Sequence, residues 1–283
     1  MSMRHLDGLA SLASHYDGFV LDLWGVVHDG VKLYPHARKT IYRLRERGKR
    51  IVMLSNAPRR AAVVGHALTA LGIEPELYDG VMTSGESVWE ALLTRSDPWF
   101  AALGRRAFWL GPARDLPLLE GLDIELALTP AEADFVLNIG ADEAVSDTDI
   151  APHLPVLEDC LKAALPMVCA NPDLVIVRDG RRILCAGALA EAYAAMGGVF
   201  RQRGKPDAAI YGPTLALLGV PPDRVLAVGD ALRTDIAGAA TVGLDSCWVL
   251  DGIHDLAGRP DAAEAEAAAA GLAPIATLPN FSW

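Results

Sequence analysis

Cysteine is scarce. The 283 residues hold four, Cys160, Cys169, Cys185 and Cys247, with no CxxC pair among them. In a chain of this size that argues against a disulfide framework and leaves small buried hydrophobes. Positive charge is also short, with 25 Lys and Arg against 36 Asp and Glu and a formal net charge of -11. A nucleic-acid binder usually needs a basic face, and an acidic membrane surface attracts one, so both partners are disfavoured. No basic patch interleaved with aromatics offsets this in a chain that is only 6% aromatic. Nor is there a run of about 18 uncharged apolar residues that would span a bilayer. Met1 to Tyr16 is polar and charged, so the expectation is a cytoplasmic protein without a signal peptide.

What is present describes a folded chain: 52% hydrophobic and 22% charged residues. At about 150 residues per domain, two domains are expected. Short apolar runs alternate with helical patterns in the opening third. Gly18 to Trp24, Lys49 to Asn56 and Asp79 to Gly85 read as strands, with helices at about 36–47 and 59–70 closed by Gly48 and Gly72. Such spacing means parallel βαβ units, and near-continuous apolar strands fit a sheet covered on both faces. The middle offers strands at 107–111, 123–128 and 134–140, a helix at 149–164, a strand from Pro166 into Asn171-Pro172, and a hairpin about Asp179-Gly180. Helices at 187–196 and 206–218, a strand at Arg224 to Asp230, a short helix from Asp235 and a strand near Ser246 return to the first pattern. The Ala- and Glu-rich stretch at 261–270 favours helix.

Ligands of open α/β sheets bind beyond the carboxyl ends of the strands. The polar residues expected there are Asp22, Ser55, Asn56, Asp230 and, five residues on, Asp235; Lys205 precedes a helix. An acidic cluster of Asp22, Asp230 and Asp235 needs a compensating cation. Oxygen ligands without a Cys/His set point to Mg²⁺. One carboxylate could attack phosphorus while metal and lysine neutralise the phosphoryl oxygens. Ser55, with backbone N–H groups at Asn56 and Ala57 before a helix starting near Pro58, could hold phosphate. Taken singly, each residue has a plainer role as cap, turn or solvated side chain; order and spacing together carry the signal.

LDLWGVVHDG with Asp22, LSN with Ser55, GKPD with Lys205 and GDALRTD from Gly229 to Asp235 resemble, in order, the four motifs of the haloacid dehalogenase (HAD) superfamily. NPD at 171–173 and CAGAL at 185–189 resemble its class IIA hydrolases, the NagD-like and p-nitrophenyl-phosphatase-like proteins. The resemblance implies an α/β Rossmann-like core with a parallel sheet and an inserted α/β cap (C2 type). The core would hold 1–86 and 167–283, and the cap 87–166. It implies a Mg²⁺-dependent phosphatase of a small phosphorylated metabolite, working through an aspartyl-phosphate. Asp22 would be the nucleophile. Mg²⁺ would be held by Asp22, Asp230 and the backbone carbonyl of Trp24, with Asp235 in the outer shell. Ser55, Asn56 and Lys205 would bind phosphate, and a homodimer is implied as well.

One position departs from that pattern. Family phosphatases place a second Asp two residues after the nucleophile as acid and base, and here that position is Trp24. Trp has no acid–base capacity, which is worth about 10²–10⁴-fold in rate. Aryl and acyl phosphates would suffer least. His28 and Asp29 are nearby candidates to replace the missing group, or simply a loop turn. A weakly active or non-catalytic binder of a phosphometabolite, a phosphotransferase and a dehalogenase remain as alternatives. The complete GDALRTD motif argues against a metal-free dehalogenase.

Overall fold

The structure, a computed structural model, describes residues 3–178, 180–254 and 256–283. Its strands are Arg4–His5 (β1), Gly18–Leu21 (β2), Arg50–Ser55 (β3), Gly80–Thr83 (β4), Arg106–Leu110 (β5), Glu125–Ala127 (β6), Phe135–Asn138 (β7), Met167–Cys169 (β8), Val175–Arg178 (β9), Arg181–Leu184 (β10), Phe200–Gln202 (β11), Val225–Gly229 (β12), Asp245–Val249 (β13) and Ala276–Leu278 (β14). Seven form one parallel sheet in the order β1-β14-β13-β12-β2-β3-β4. Five form a second parallel sheet, β11-β8-β7-β5-β6.

The strands of the large sheet are apolar throughout because both faces are covered. Phe19, Leu21, Ile51, Met53, Leu226 and Val228 join one core with Ile41 and Leu44. Their neighbours Val20, Val52, Leu54, Val225 and Ala227 join another with Tyr211 and Leu218. This is the two-residue alternation of a strand, with both sides buried. The helix Ala37–Glu46 supplies Ala37, Thr40, Ile41 and Leu44 at helical spacing to the first core. Removing a side chain such as Ile51 would cost about 2–5 kcal/mol.

β2 and β12 lie side by side at the centre, where the chain order reverses: β3 and β4 lie on one side, β13, β14 and β1 on the other. A crevice beyond the carboxyl ends is expected at such a switch point. The tail also belongs to this body, since Phe281 is buried in the first core, Leu9 N–H donates to the Ser282 carbonyl at 2.9 Å, and the Arg47 guanidinium lies 4.4 Å from the Trp283 ring centre.

The division of the chain differs from the expected one. A return to the core at 167 is not what the pairing gives, because β8 and β11 are hydrogen-bonded into the second sheet. The helix Ala186–Ala195 packs there too, with Leu189, Ala190 and Tyr193 against Met167 and Leu157. The apolar run at 166–170 signalled a strand but not which sheet it would join. β9 and β10 form the expected hairpin, with Arg181 opposite Arg178; Asp179 lies outside the described residues. The helix at the chain's end spans Pro260–Ala269. All four cysteines are free and buried. Among the described residues no helix is long and apolar enough to cross a membrane.

Candidate active site

β2 and β12 deliver the first two acids. Asp22 follows Leu21, and its N–H donates to the Val228 carbonyl at 2.9 Å. Asp230 follows Gly229, the last residue of β12. Asp235 comes from a π-type turn, Leu232–Ile236, in which the N–H groups of Asp235 and Ile236 share the Ala231 carbonyl at 2.9 and 3.3 Å. Such turns redirect a side chain inside a helix, often at functional sites. Here the turn brings Asp235 back over the strand ends.

Lys205 closes the group. Its Nζ donates to Asp22 Oδ1 at 2.6 Å, to Asp235 Oδ1 at 2.6 Å and to the Leu54 carbonyl at 3.1 Å. Asp22, Asp230 and Asp235 each offer a carboxylate oxygen within 4.8 Å of the others. Both oxygens of Asp235 are engaged, Oδ1 by Lys205 and Oδ2 by the Ala231 N–H at 3.1 Å. Asp230 Oδ2 accepts from the Ile253 N–H at 2.8 Å. Asp22 and Asp230 therefore keep one oxygen each without a donor among the described residues. Three carboxylates against one ammonium, with only oxygen donors, match a hard cation such as Mg²⁺.

The electrostatics agree. Burial and the neighbouring Asp235 push the Asp22 carboxyl well above the ordinary range, against the pull of Lys205. Burial and Asp235 likewise raise Asp230 to about 7. Burial opposes the charge on Lys205, but Asp22, Asp235 and Asp173 outweigh it and hold its pKa above the usual lysine value. One cation does not neutralise the cluster, and a divalent ion would restore the carboxylates to their ionised form.

Ser55 ends β3 and Asn56 follows it, both buried. Ser55 Oγ accepts from the Ala57 N–H at 3.2 Å. Asn56 turns its side chain to Lys205, with Oδ1 accepting from the Lys205 N–H at 2.8 Å and Nδ2 donating to its carbonyl at 3.0 Å. Asn56 Nδ2 also donates to Asp173 Oδ1 at 2.9 Å. The helix expected near Pro58 begins instead at Ala61. Its first N–H, that of Ala61, is not available to a phosphate at Ser55, because it donates to Glu86 Oε2 at 2.8 Å.

Two connected cavities open on these residues. One, of about 110 Å³, is lined by Asp22, Trp24, Tyr34, Asp173, Lys205, Asp230 and Asp235, with Ile176 of β9 opposite. The other, of about 420 Å³, runs between Trp24, Arg59, Arg114 and Arg178. Trp24, Asp173 and Ile176 border both. Sequence reasoning gave no role to Asp173, the arginines or β9. The Asn-Pro-Asp turn at the end of β8 was the available signal for Asp173, since it too lies beyond a strand's carboxyl end.

The Trp24 ring is fixed in place. It meets the His28 ring edge-on at 5.3 Å, and a Cβ at Gly30 would come within 2.0 Å of it. His28 Nδ1 accepts from the Gly30 N–H at 2.9 Å, and burial lowers the imidazole pKa to about 4. Asp29 Oδ1 accepts from Val31 and Lys32 N–H groups at 3.0 and 2.8 Å. Both residues build the turn that supports Trp24, and neither lines either of these two cavities.

Comparison with known proteins agrees with this geometry. A haloacid dehalogenase-like hydrolase family model matches residues 19–125, and a HAD-hydrolase-like model matches residues 202–275. A haloacid dehalogenase-like hydrolase from Brucella suis superposes with a TM-score of 0.85 at 32% identity, covering 98% of this chain and 99% of that one. The 4-nitrophenylphosphatase from Thermotoga maritima gives 0.69 at 25% identity, over 95% and 96% of the two chains. The sugar-phosphatase AraL of Bacillus subtilis is 28% identical over 241 residues, 83% of each chain. With its four motifs gathered at one switch point, the chain belongs to the haloacid dehalogenase-like hydrolase family, among its class IIA members.

Proposed function

We propose that this chain is a Mg²⁺-dependent phosphatase of a small phosphorylated metabolite, working through an aspartyl-phosphate on Asp22. The observation that carries the reading is Lys205 Nζ lying 2.6 Å from both Asp22 and Asp235, with Asp230 in the same oxygen cluster. The likeness to a sugar phosphatase and a 4-nitrophenylphosphatase supports the substrate class.

The free oxygen of Asp22 attacks phosphorus, and the bond to the leaving-group oxygen breaks. Water then attacks the same phosphorus, the bond to Asp22 breaks, and inorganic phosphate departs. Lys205 holds the Asp22 carboxylate in position and balances phosphoryl charge. Ser55 and the Asn56 backbone N–H complete the phosphate seat. Mg²⁺ on Asp22, Asp230 and the Trp24 carbonyl, with Asp235 behind, would supply electrostatic neutralisation of the transferring group. The unit built on the second sheet acts as the cap that excludes water and reads the leaving group.

Trp24 cannot protonate that leaving group, so aryl phosphates should outrun alkyl phosphates. The same residue favours a second reading, a phosphometabolite binder with little turnover. Phosphate release from aryl, sugar, nucleotide and pyridoxal phosphates, with Mg²⁺ and with chelator, beside Asp22→Asn, decides between them. Mg²⁺-dependent release lost in the variant is expected. Binding without release from any substrate would favour the second reading.

A further inference from the structure

The larger cavity has a charge pattern of its own. Arg59 Nε donates to Asp115 Oδ1 at 2.6 Å, and Arg114 pairs with Glu143 at 2.5 Å. These four line the cavity as two ion pairs. Arg178 also lines it and forms no ion pair among the described residues. Asp173 at the shared wall is engaged by Asn56 and faces Lys205. Three guanidiniums and three carboxylates thus line the cavity, and Arg178 is the guanidinium left outside its ion pairs, with a fork that suits an oxyanion.

Placement adds to charge. Ile176 and Arg178 lie two apart on β9 and so share a face of the strand. Ile176 borders both cavities, while Arg178 borders only the larger. At about 3.3 Å per residue, the two positions lie about 7 Å apart along β9. Trp24 borders both cavities as well, and its flat ring is a surface suited to a planar or apolar spacer.

We infer that the larger cavity binds the leaving group of a phosphoester that carries a second anion, and that Arg178 reads that anion across the Trp24 face. The inference rests on the phosphatase reading for the position of phosphorus, but its binding test does not require turnover. The probes are benzylphosphonate, 4-carboxybenzylphosphonate and 1,4-xylylenebisphosphonate, titrated calorimetrically with Mg²⁺ present. Wild type is expected to bind the two anion-bearing ligands about tenfold more tightly than benzylphosphonate. The stronger of the two identifies the anion as carboxylate or phosphate. In Arg178→Gln, with an unchanged unfolding midpoint, that ratio should fall to about one. Turnover of 4-carboxyphenyl phosphate over phenyl phosphate should show the same ratio and the same loss. No preference in wild type, or a preference that survives in Arg178→Gln, overturns the inference. Preference in binding without phosphate release from either ester leaves the anion subsite standing and sinks the phosphatase reading instead.

Discussion

The side chain of Asn56 clamps the backbone of Lys205 at two points, Oδ1 to the N–H at 2.8 Å and Nδ2 to the carbonyl at 3.0 Å. Asp173 fixes which way the amide faces, because its Oδ1 can only accept from the Nδ2 side. The lysine that meets Asp22 and Asp235 is therefore held from β3 as well as by its own ion pairs. Asn56→Ala would leave the Lys205 backbone groups and Asp173 without these partners. A loss of about 2–4 kcal/mol in urea unfolding is expected. A fall in kcat of about 10- to 100-fold should exceed any change in KM, since a misplaced Lys205 harms the reaction more than binding. An equal rise in KM alone would place Asn56 in substrate binding only.

The acid cluster and His28 oppose each other as pH falls. Asp230, raised to about 7 by burial and Asp235, has a folded pKa above its unfolded value of 3.8. Its contribution is complete below the unfolded value and is lost as pH rises through about 7. His28, lowered from 6.5 to about 4 by burial, contributes stability that is complete above 6.5 and is lost on the way down to about 4. Each amounts to about 3–4 kcal/mol over the same window, with opposite sign. Saturating Mg²⁺ would hold Asp230 ionised and remove the first effect. The Mg²⁺ and chelator stability curves should therefore converge between pH 7 and pH 4, with the Mg²⁺ curve falling more steeply. Parallel curves would mean that the ion does not bind at Asp230.

Restoring a carboxylate at position 24 tests what Trp24 costs. Trp24→Asp should raise kcat/KM on an alkyl phosphate relative to an aryl phosphate by at least about tenfold, since the alkyl leaving group needs the proton. The ring that packs on His28 and Gly30 would be lost, at about 2 kcal/mol of stability. An unchanged alkyl-to-aryl ratio in a folded variant would show that the leaving group departs without help from this position.

The strands and the acids at their ends were legible in the sequence because both depend on short-range pattern. VLD before Leu23 and VGD before Ala231 each place a carboxylate where an apolar run stops. Strand order and sheet membership depend on which distant strand pairs, and apolar runs alike in composition do not say. β8 was expected in the large sheet for that reason. Arg178 was missed because a hairpin's sequence does not show which cavity its strands will line, and Asp173 because the turn after β8 does not show which groups it will face. The short strands β1 and β14 lie at one side of the large sheet, β1 at its edge and β14 between β1 and β13, and two or three residues carry too little pattern to be read.

Gly25 provides the sharpest local test of the metal site. Its φ is +78°, and a Cβ there would come within 2.0 Å of Asp230 Oδ2. Asp230 has no room to retreat. Its Oδ2 is bound by the Ile253 N–H at 2.8 Å, and on another side the Cα of Gly252 is so close that a Cβ there would stand 2.2 Å from the same oxygen. Gly48 is the matched control, with φ +70° and nothing within 4 Å of its Cβ position. Both Gly→Ala changes carry the same backbone strain, about 1 kcal/mol. Gly25→Ala adds a clash with a candidate metal ligand. It should cost about 2–4 kcal/mol in unfolding and weaken Mg²⁺ binding by about 10- to 100-fold in a calorimetric titration. Gly48→Ala should cost only the strain and leave Mg²⁺ affinity as it was. Equal Mg²⁺ affinity in the two variants would mean that Asp230 does not hold the ion.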